Sequence, residues 1–435
     1  MERPWYTRFS WPLAIVPVLT TILGILFIRS ATLHDRSAGG EWRSQIAYAL
    51  VGIVLMLGLA FIDYRVWRRW ALPLYLVTLA LLVFITVKGH EALGAARWIK
   101  LGGFVFQPSE PAKVVLAIAI AALLCRGSYR RIHELWLPLL AVAIPAALIL
   151  KQPDLGTTLV IGGILTAELY FGLPNLLDFG LYLGAIATAA AYVLTSEHLL
   201  KPFQRARLLV FLDPTLDPQG VGYNLNQSTI AVGSGEWFGK GLFHGTQTQL
   251  AFVPENSRDF IFTALGEEWG FVGALTLLVL YAVILASAMR AVVAASDRFG
   301  VLLAVGLVAM LAFHIVVNIG MTIGIMPITG IPLPFMSYGG SALVSDYAAV
   351  GILLNIILQK DALVFGDAPA RRVYPAAPRR VRSVPTARLL NDLDLRHHPA
   401  VLVLEEMAVE DEGPHDDRVG EVHQRDHHVR VRPSV

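Results

Sequence analysis

The stretch FGVLLAVGLVAMLAFHIVVNIG (299–320) runs for 22 residues without a single Asp, Glu, Lys or Arg. A helix needs about 20 mostly apolar residues to cross roughly 30 Å of hydrocarbon, so this stretch reads as a membrane span. Nine other stretches read the same way: 11–30, 45–63, 70–88, 109–126, 134–150, 156–172, 176–197, 259–288 and 340–359. The expected fold is therefore an all-α polytopic membrane protein of about ten transmembrane helices. A large extracytoplasmic loop, 198–258, is expected between the seventh and eighth spans.

Composition points the same way. The chain has 435 residues, 55% hydrophobic and 16% charged, with a mean hydropathy of +0.59. Soluble domains carry roughly 25% charged residues. So much apolar surface excludes disorder for most of the chain and argues against a soluble enzyme. The charges are uneven: residues 361–435 hold 24 of the 68 Asp, Glu, Lys and Arg residues. This divides the chain into a membrane domain, 1–360, and a polar, disordered cytoplasmic tail, 361–435. A net charge of +2 gives no reason to expect nucleic acid. The one cysteine, Cys125, allows no internal disulfide and is expected in packing. No small-residue cleavage pattern follows the first apolar run, so it is expected to be a retained helix.

Orientation follows from the short loops. With the N-terminus inside, cytoplasmic segments collect Arg3 and Arg8, then Arg65, Arg68 and Arg69, then Arg126, Arg130 and Arg131, then Arg290 and Arg298. Ten spans return the C-terminus to the cytoplasm. The outer face nevertheless carries Arg97, Lys100, Lys151, Lys201, Arg205, Arg207, Lys240 and Arg258. Two readings stand here: an ordinary solvated loop, or an outward site for a phosphate- or diphosphate-bearing substrate.

Ionisable groups inside a membrane are costly, so they pair or line a polar cavity. Glu110 and Lys113 are three apart and share a helix face. Asp154, in KQPDLGTT (151–158), suits a helix N-cap. Glu168, Asp346, His314 and Asn318 suit interhelical hydrogen bonds. The segment AFVPENSRDFIFTALGEEWG (251–270) breaks at Pro254 and then opens an apolar helix at Asp259. Asp259, Thr263 and Glu267 recur every four residues along one stripe. Asp259 is either a cap or a general base at a membrane entry point, near Arg258 and Lys240. Between the last two spans, GIMPITGIPLPFMSYGGS (324–341) holds too much Pro and Gly for a regular helix.

These motifs resemble the shape, elongation, division and sporulation (SEDS) family of bacterial membrane proteins. The resemblance rests on GAARWIKLGGFVFQPSEPAK (94–113), KQPDLGTT (151–158), the 222–270 segment and GIMPITGIPLPFMSYGGSAL (324–343). IDYR (62–65) and the HGTQTQ run resemble its rod-shape (RodA) branch more than its divisome (FtsW) branch. The resemblance implies a peptidoglycan glycosyltransferase. Its substrate would be lipid II, polymerised at the outer face of the bacterial cytoplasmic membrane. It implies a class B penicillin-binding protein as partner, within the elongation complex and among membrane lipids. By resemblance the essential Asp falls on Asp259. The family's other motif residues fall on Arg97, Glu110, Lys113, Asp154 and Ser337. Lys240 and Arg258 join Arg97 and Lys113 as diphosphate-binding candidates on charge and position. Arg258 stands where the family often has Thr, and a cation there is expected to hold Asp259 ionised and weaken it as a base. No sequence signature specifies a cofactor. A divalent cation, Mg or Mn, is the one that phosphate chemistry would use. A lipid II transporter is the competing reading, since it needs the same polar cavity but no base.

Overall fold

The computed structural model describes residues 8–361 except 35–37, 89, 93–94, 102–103, 128–131, 174, 196–201, 214–216, 218–219 and 251. The tail beyond 361 lies outside the described residues. In chain order the elements are α1 (Trp11–Ala31), α2 (Glu41–Ala60) and α3 (Arg65–Lys88). Strands β1 (His90–Ala92), β2 (Ala95–Leu101) and β3 (Phe104–Phe106) follow, then α4 (Ser109–Leu124), α5 (Trp136–Lys151), α6 (Leu155–Gly172) and α7 (Leu176–Thr195). After these come α8 (Pro202–Leu212), α9 (Val221–Ser234), α10 (Thr246–Gln249), α11 (Ile261–Ala294), α12 (Arg298–Thr322) and α13 (Gly340–Leu358).

The protein is a helical membrane bundle, with a helix at each of the ten expected stretches. Seven of them, α1, α2, α3, α6, α11, α12 and α13, are long and apolar enough to cross a membrane. α5 and α7 are shorter apolar helices. α4 has only 16 residues, about 24 Å at 1.5 Å per residue, and carries Glu110 and Lys113 at its start. Two features were not foreseen. The three short strands form an antiparallel sheet ahead of α4, pairing Ile99 with Phe106 and His90 with Trp98. The 198–258 segment also carries three helices of its own, α8 to α10.

The bundle is layered by burial. α12 and α13 bury 72% and 78% of their apolar windows, whereas α3 buries 22%. The first two form the centre, and α3 presents Leu72, Val77 and Val87 outward. Helices that are apolar all round suit a lipid surround. α13 packs along α2, α12 along α6, and α11 along α1 and α12. Polar side chains close the helix ends between partners. Asn355 of α13 donates to the Ala60 carbonyl at 2.8 Å and accepts from the Tyr64 amide at 2.8 Å. The first bond satisfies a carbonyl that the end of α2 leaves open, and the second an amide just ahead of α3.

α11 is two half-helices joined at Gly270, whose φ of 62° and ψ of −155° suit glycine alone. Breaking a helix frees backbone groups that lipid cannot satisfy. The 236–241 segment satisfies them. The Phe271 and Val272 amides donate to the Glu236 and Trp237 carbonyls at 2.8 and 3.0 Å. The Lys240 and Gly241 amides donate to the Glu267 and Glu268 carbonyls, both at 3.0 Å. The first half-helix, led by Asp259, is thereby set off from the rest of α11.

Candidate functional site

Asp259 sits immediately before α11. The N-cap position is Phe260, so Asp259 is not the helix cap. Its main chain is held by Asn318 of α12, whose amide Nδ2 donates to the Asp259 carbonyl at 2.8 Å and to the Ile331 carbonyl at 2.7 Å. Asn318 Oδ1 is buried and has no hydrogen-bond partner. This one side chain ties the head of α11 to the irregular 324–339 segment, which its Pro and Gly keep non-helical.

That segment brings a second group to Asp259. Gly330, at φ 74°, faces both Asp259 and Arg207: a Cβ built there would stand 3.2 Å from Asp259 Oδ2 and 3.5 Å from Arg207 Nη1. Arg207 Nη1 also donates to the neighbouring Thr329 carbonyl at 3.3 Å. Val210, three residues on along α8, is buried with Phe260, Met321 and Ile328. Residues i and i+3 share a helix face, so the packing that seats Val210 also aims Arg207 at the site.

Asp259 is part-exposed, yet protein surrounds its carboxyl. That desolvation, with Glu255 nearby, pushes its pKa up to about 6; Arg207 and Arg258 pull down and Asp154 adds a further push. Arg258 pulls the pKa down as expected, but burial outweighs both cations, so the carboxylate ends as a stronger base than an ordinary one and not a weaker one. Asp154 approaches from α6, where it is the N-cap, accepting from the Thr157 amide at 3.1 Å and hydroxyl at 2.9 Å. Gln107, just before α4, points its amide at the same carboxylate from 3.5 Å.

The remaining candidates have other partners. Lys113 is 2% exposed and donates to Glu110 Oε2 and His314 Nε2, both at 2.8 Å. His314 Nδ1 donates to the Met310 carbonyl at 2.6 Å, which leaves Nε2 as the acceptor for Lys113. Lys113 is thus held inside the bundle by Glu110 and His314. Lys240 donates to Glu267 Oε1 at 2.7 Å and Thr246 Oγ1 at 2.8 Å. Glu267 also accepts from the Gln247 and Thr248 amides, so this cluster pins the 246–248 turn to α11. Arg258 pairs with Glu41 at 3.0 Å and Glu255 at 3.2 Å, over the Tyr338 ring. Ser337 Oγ accepts from the Leu333 amide at 2.8 Å and shapes its own turn. Arg97 falls on β2, and its side chain lies outside the described residues.

Asp259, Asp154 and Asn318 converge, then, while Lys113, Lys240, Arg258 and Ser337 hold the scaffold around them. Glu168 departs from expectation: it is buried, and neither carboxyl oxygen has a hydrogen-bond partner. Sequence reasoning did not single out Arg207 from the other outer cations, because its position depends on how α8 packs. Among the described residues no group of three or more His, Cys, Asp or Glu side chains is placed to hold a metal ion.

The fold and site define a polytopic helical membrane protein with a carboxylate at the head of a broken helix. The chain matches the FtsW/RodA/SpoVE family of cell cycle proteins over residues 10–362 and belongs to that family. It is 38% identical over 345 residues to the peptidoglycan glycosyltransferase MrdB of Escherichia coli K12, covering 78% of this chain and 92% of that one. Its structure is similar to that of a chain from a study of polymerization and crosslinking by a peptidoglycan synthase complex. The TM-score there is 0.69 at 32% identity, over 81% of this chain and 98% of that one. It is also similar to a mutant form of the rod shape determining protein RodA of Thermus thermophilus. That match has a TM-score of 0.61 at 30% identity, over 81% of this chain and 98% of that one.

Proposed function

We propose that this protein polymerises lipid II into β-1,4-linked glycan during cell-wall elongation. The observation that carries the reading is Asp259, a carboxylate with a pKa of about 6, held by Asn318 at the head of a half-helix. A base titrating near 6 is largely ionised at pH 7 and still basic enough to accept a proton as a bond forms. The step is an inverting glycosyl transfer. The acceptor 4-hydroxyl oxygen attacks the anomeric carbon of an α-linked donor, and its proton passes to Asp259. The carbon–oxygen bond to the diphosphate breaks, and the electron pair leaves with undecaprenyl diphosphate.

The names of the relatives support this reading: one is a peptidoglycan glycosyltransferase and another a rod shape determining protein. In the same reading the protein lies in the bacterial cytoplasmic membrane with its site facing outward and both termini inside. Residues 1–360 form the catalytic unit. Its partner is a class B penicillin-binding protein that cross-links the new strand. The likeness to a peptidoglycan synthase complex supports that pairing.

Gel analysis of glycan made from labelled lipid II, with and without the partner, tests the reading. Wild-type protein should make polymer. Asp259→Ala should lose about 10²–10⁴-fold in rate while remaining folded in the membrane. Near-normal polymer from the variant removes Asp259 as the base. Lipid translocation by a wild type that makes no polymer would favour a transporter.

A further inference from the structure

We propose that Trp237 and Phe238 insert into the interfacial layer of the bilayer and anchor the 236–241 segment there, fixing how the half-helix led by Asp259 sits relative to the membrane. The surface concerned is one that the sequence places in an extracytoplasmic loop. Its occupant is the boundary between lipid headgroups and acyl chains.

The two side chains are 66% and 81% exposed, and Phe238 is the most exposed large apolar side chain among the described residues. An aromatic side chain can bury 150–250 Å², so two neighbours left in water would forfeit a large hydrophobic gain. Their surroundings name what covers them. The Trp237 ring meets the Phe271 ring edge-on, with centroids 5.2 Å apart and planes at 75°. Phe271 opens the second half of α11, and the 24 residues from there to Ala294 span about 36 Å, enough to cross roughly 30 Å of hydrocarbon. Phe271, Leu275 and Leu278 share one face of that half-helix and are all exposed, as a lipid-facing stripe is. Trp237 and Phe238 extend this stripe at its end, which is the membrane boundary. Trp favours that depth, because its ring is apolar and its indole N–H can reach headgroups or water.

The backbone is prepared for such an environment. The Glu236 and Trp237 carbonyls accept from Phe271 and Val272, and the Gly239 amide donates to the Gly235 carbonyl at 2.7 Å. The Lys240 and Gly241 amides are taken by Glu267 and Glu268. A loop with its polar groups paired in this way can sit against lipid at low cost. The same bonds tie the segment to both halves of α11, so an anchor at Trp237 and Phe238 holds the two halves to one depth. In the glycosyltransferase reading, on which this consequence rests, the donor is itself a lipid whose diphosphate lies at the membrane surface. The depth of Asp259 then decides whether it meets the reacting carbon.

The test uses the purified full chain, one copy per lipid nanodisc, with Cys125→Ser removing the native thiol. Phe238→Cys and Leu278→Cys each carry an environment-sensitive fluorophore. Quenching is measured with lipids spin-labelled near the headgroup or near the chain end, and with aqueous iodide. The probe at 238 should be quenched at least about twofold more by the shallow label than by the deep one, and little by iodide. The probe at 278, seven residues further along the helix and so about 10 Å deeper, should show the reverse order of the two labels. Strong iodide quenching at 238 without lipid quenching overturns the proposal. So does lipid quenching that saturating undecaprenyl phosphate abolishes, which gives the face to a polyprenyl chain, and so does quenching lost when two copies share a disc, which gives it to a second copy. The double variant Trp237→Ser with Phe238→Ser should make glycan about tenfold more slowly in vesicles and match wild type in detergent, since small misplacements cost at least that much. An equal loss in both media means a structural role and overturns the positioning. A wild type that makes no glycan would reject the reaction, while shallow quenching at 238 would still establish the anchor.

Discussion

At Asp259 burial resists charge while two arginines favour it, and burial prevails. With a pKa of about 6, the basic form dominates above that pH. The polymerisation rate should be near half its plateau at pH 6 and about a tenth at pH 5, which an initial-rate pH profile measures. The sign for stability is opposite. A folded-state pKa raised above the ordinary 3.8 means that the folded protein holds this proton more tightly. That contribution is fully present below about 3.8 and is lost as pH rises through about 6. Asp259→Asn should therefore raise the melting temperature at pH 7.5 while abolishing synthesis. An unchanged or lower melting temperature would show that burial is not the dominant influence. Glu110 and Lys113 obey a different rule. Each is buried and compensates the other, so removing one leaves a charge worth roughly 3–5 kcal/mol. Both single Ala variants should accumulate poorly and the double variant should recover, as membrane levels and melting curves would show. Stable but inactive single variants would move the pair from scaffold to site.

At the scale of elements, the break in α11 decides where Asp259 stands. A Cβ at Gly270 would collide with the Gly239 amide nitrogen and lie 2.6 Å from the Gly235 carbonyl oxygen. Backbone atoms on both sides cannot yield, and φ of 62° disfavours any side chain. Gly270→Ala should displace the 236–241 segment, lower the melting temperature and reduce activity together. Faster proteolysis within 235–241 is the direct readout, and wild-type resistance there would refute the coupling. The helices were legible because an apolar run of this length has few other fates. The break was not, since a lone glycine inside an apolar helix looks the same whether or not another segment stands ready to take the freed hydrogen bonds. The same holds for β1–β3, whose pairing depends on neighbours that no local pattern names.

At the scale of the molecule, the residues that surround the site all precede Lys360. Helix α13 ends at Leu358 with its last turns buried against the bundle. Truncation after Lys360 should leave basal glycan synthesis and membrane level unchanged. A salt-sensitive loss of binding to anionic vesicles would instead assign the tail to lipid headgroups, since each surface cation is worth about 1 kcal/mol there. A drop in basal rate would show that the catalytic unit extends past 360.

The sequence by itself determined the membrane class, the positions of the ten long apolar helical stretches and the family resemblance, because hydrophobic length and local motif chemistry are properties of contiguous residues. It also singled out Asp259, through the polar break before an apolar helix. Only the tertiary structure decided which cation faces that carboxylate. Arg207 is brought to it across 52 residues of chain by the cluster that buries Val210 with Phe260, and Lys113, Lys240 and Arg258 are placed against Glu110, Glu267 and Glu41 in the same way. Charge in a sequence says that a side chain needs a partner; which partner it finds is settled by packing, since pairing energies fall off within a few ångströms and those distances exist only in the folded bundle.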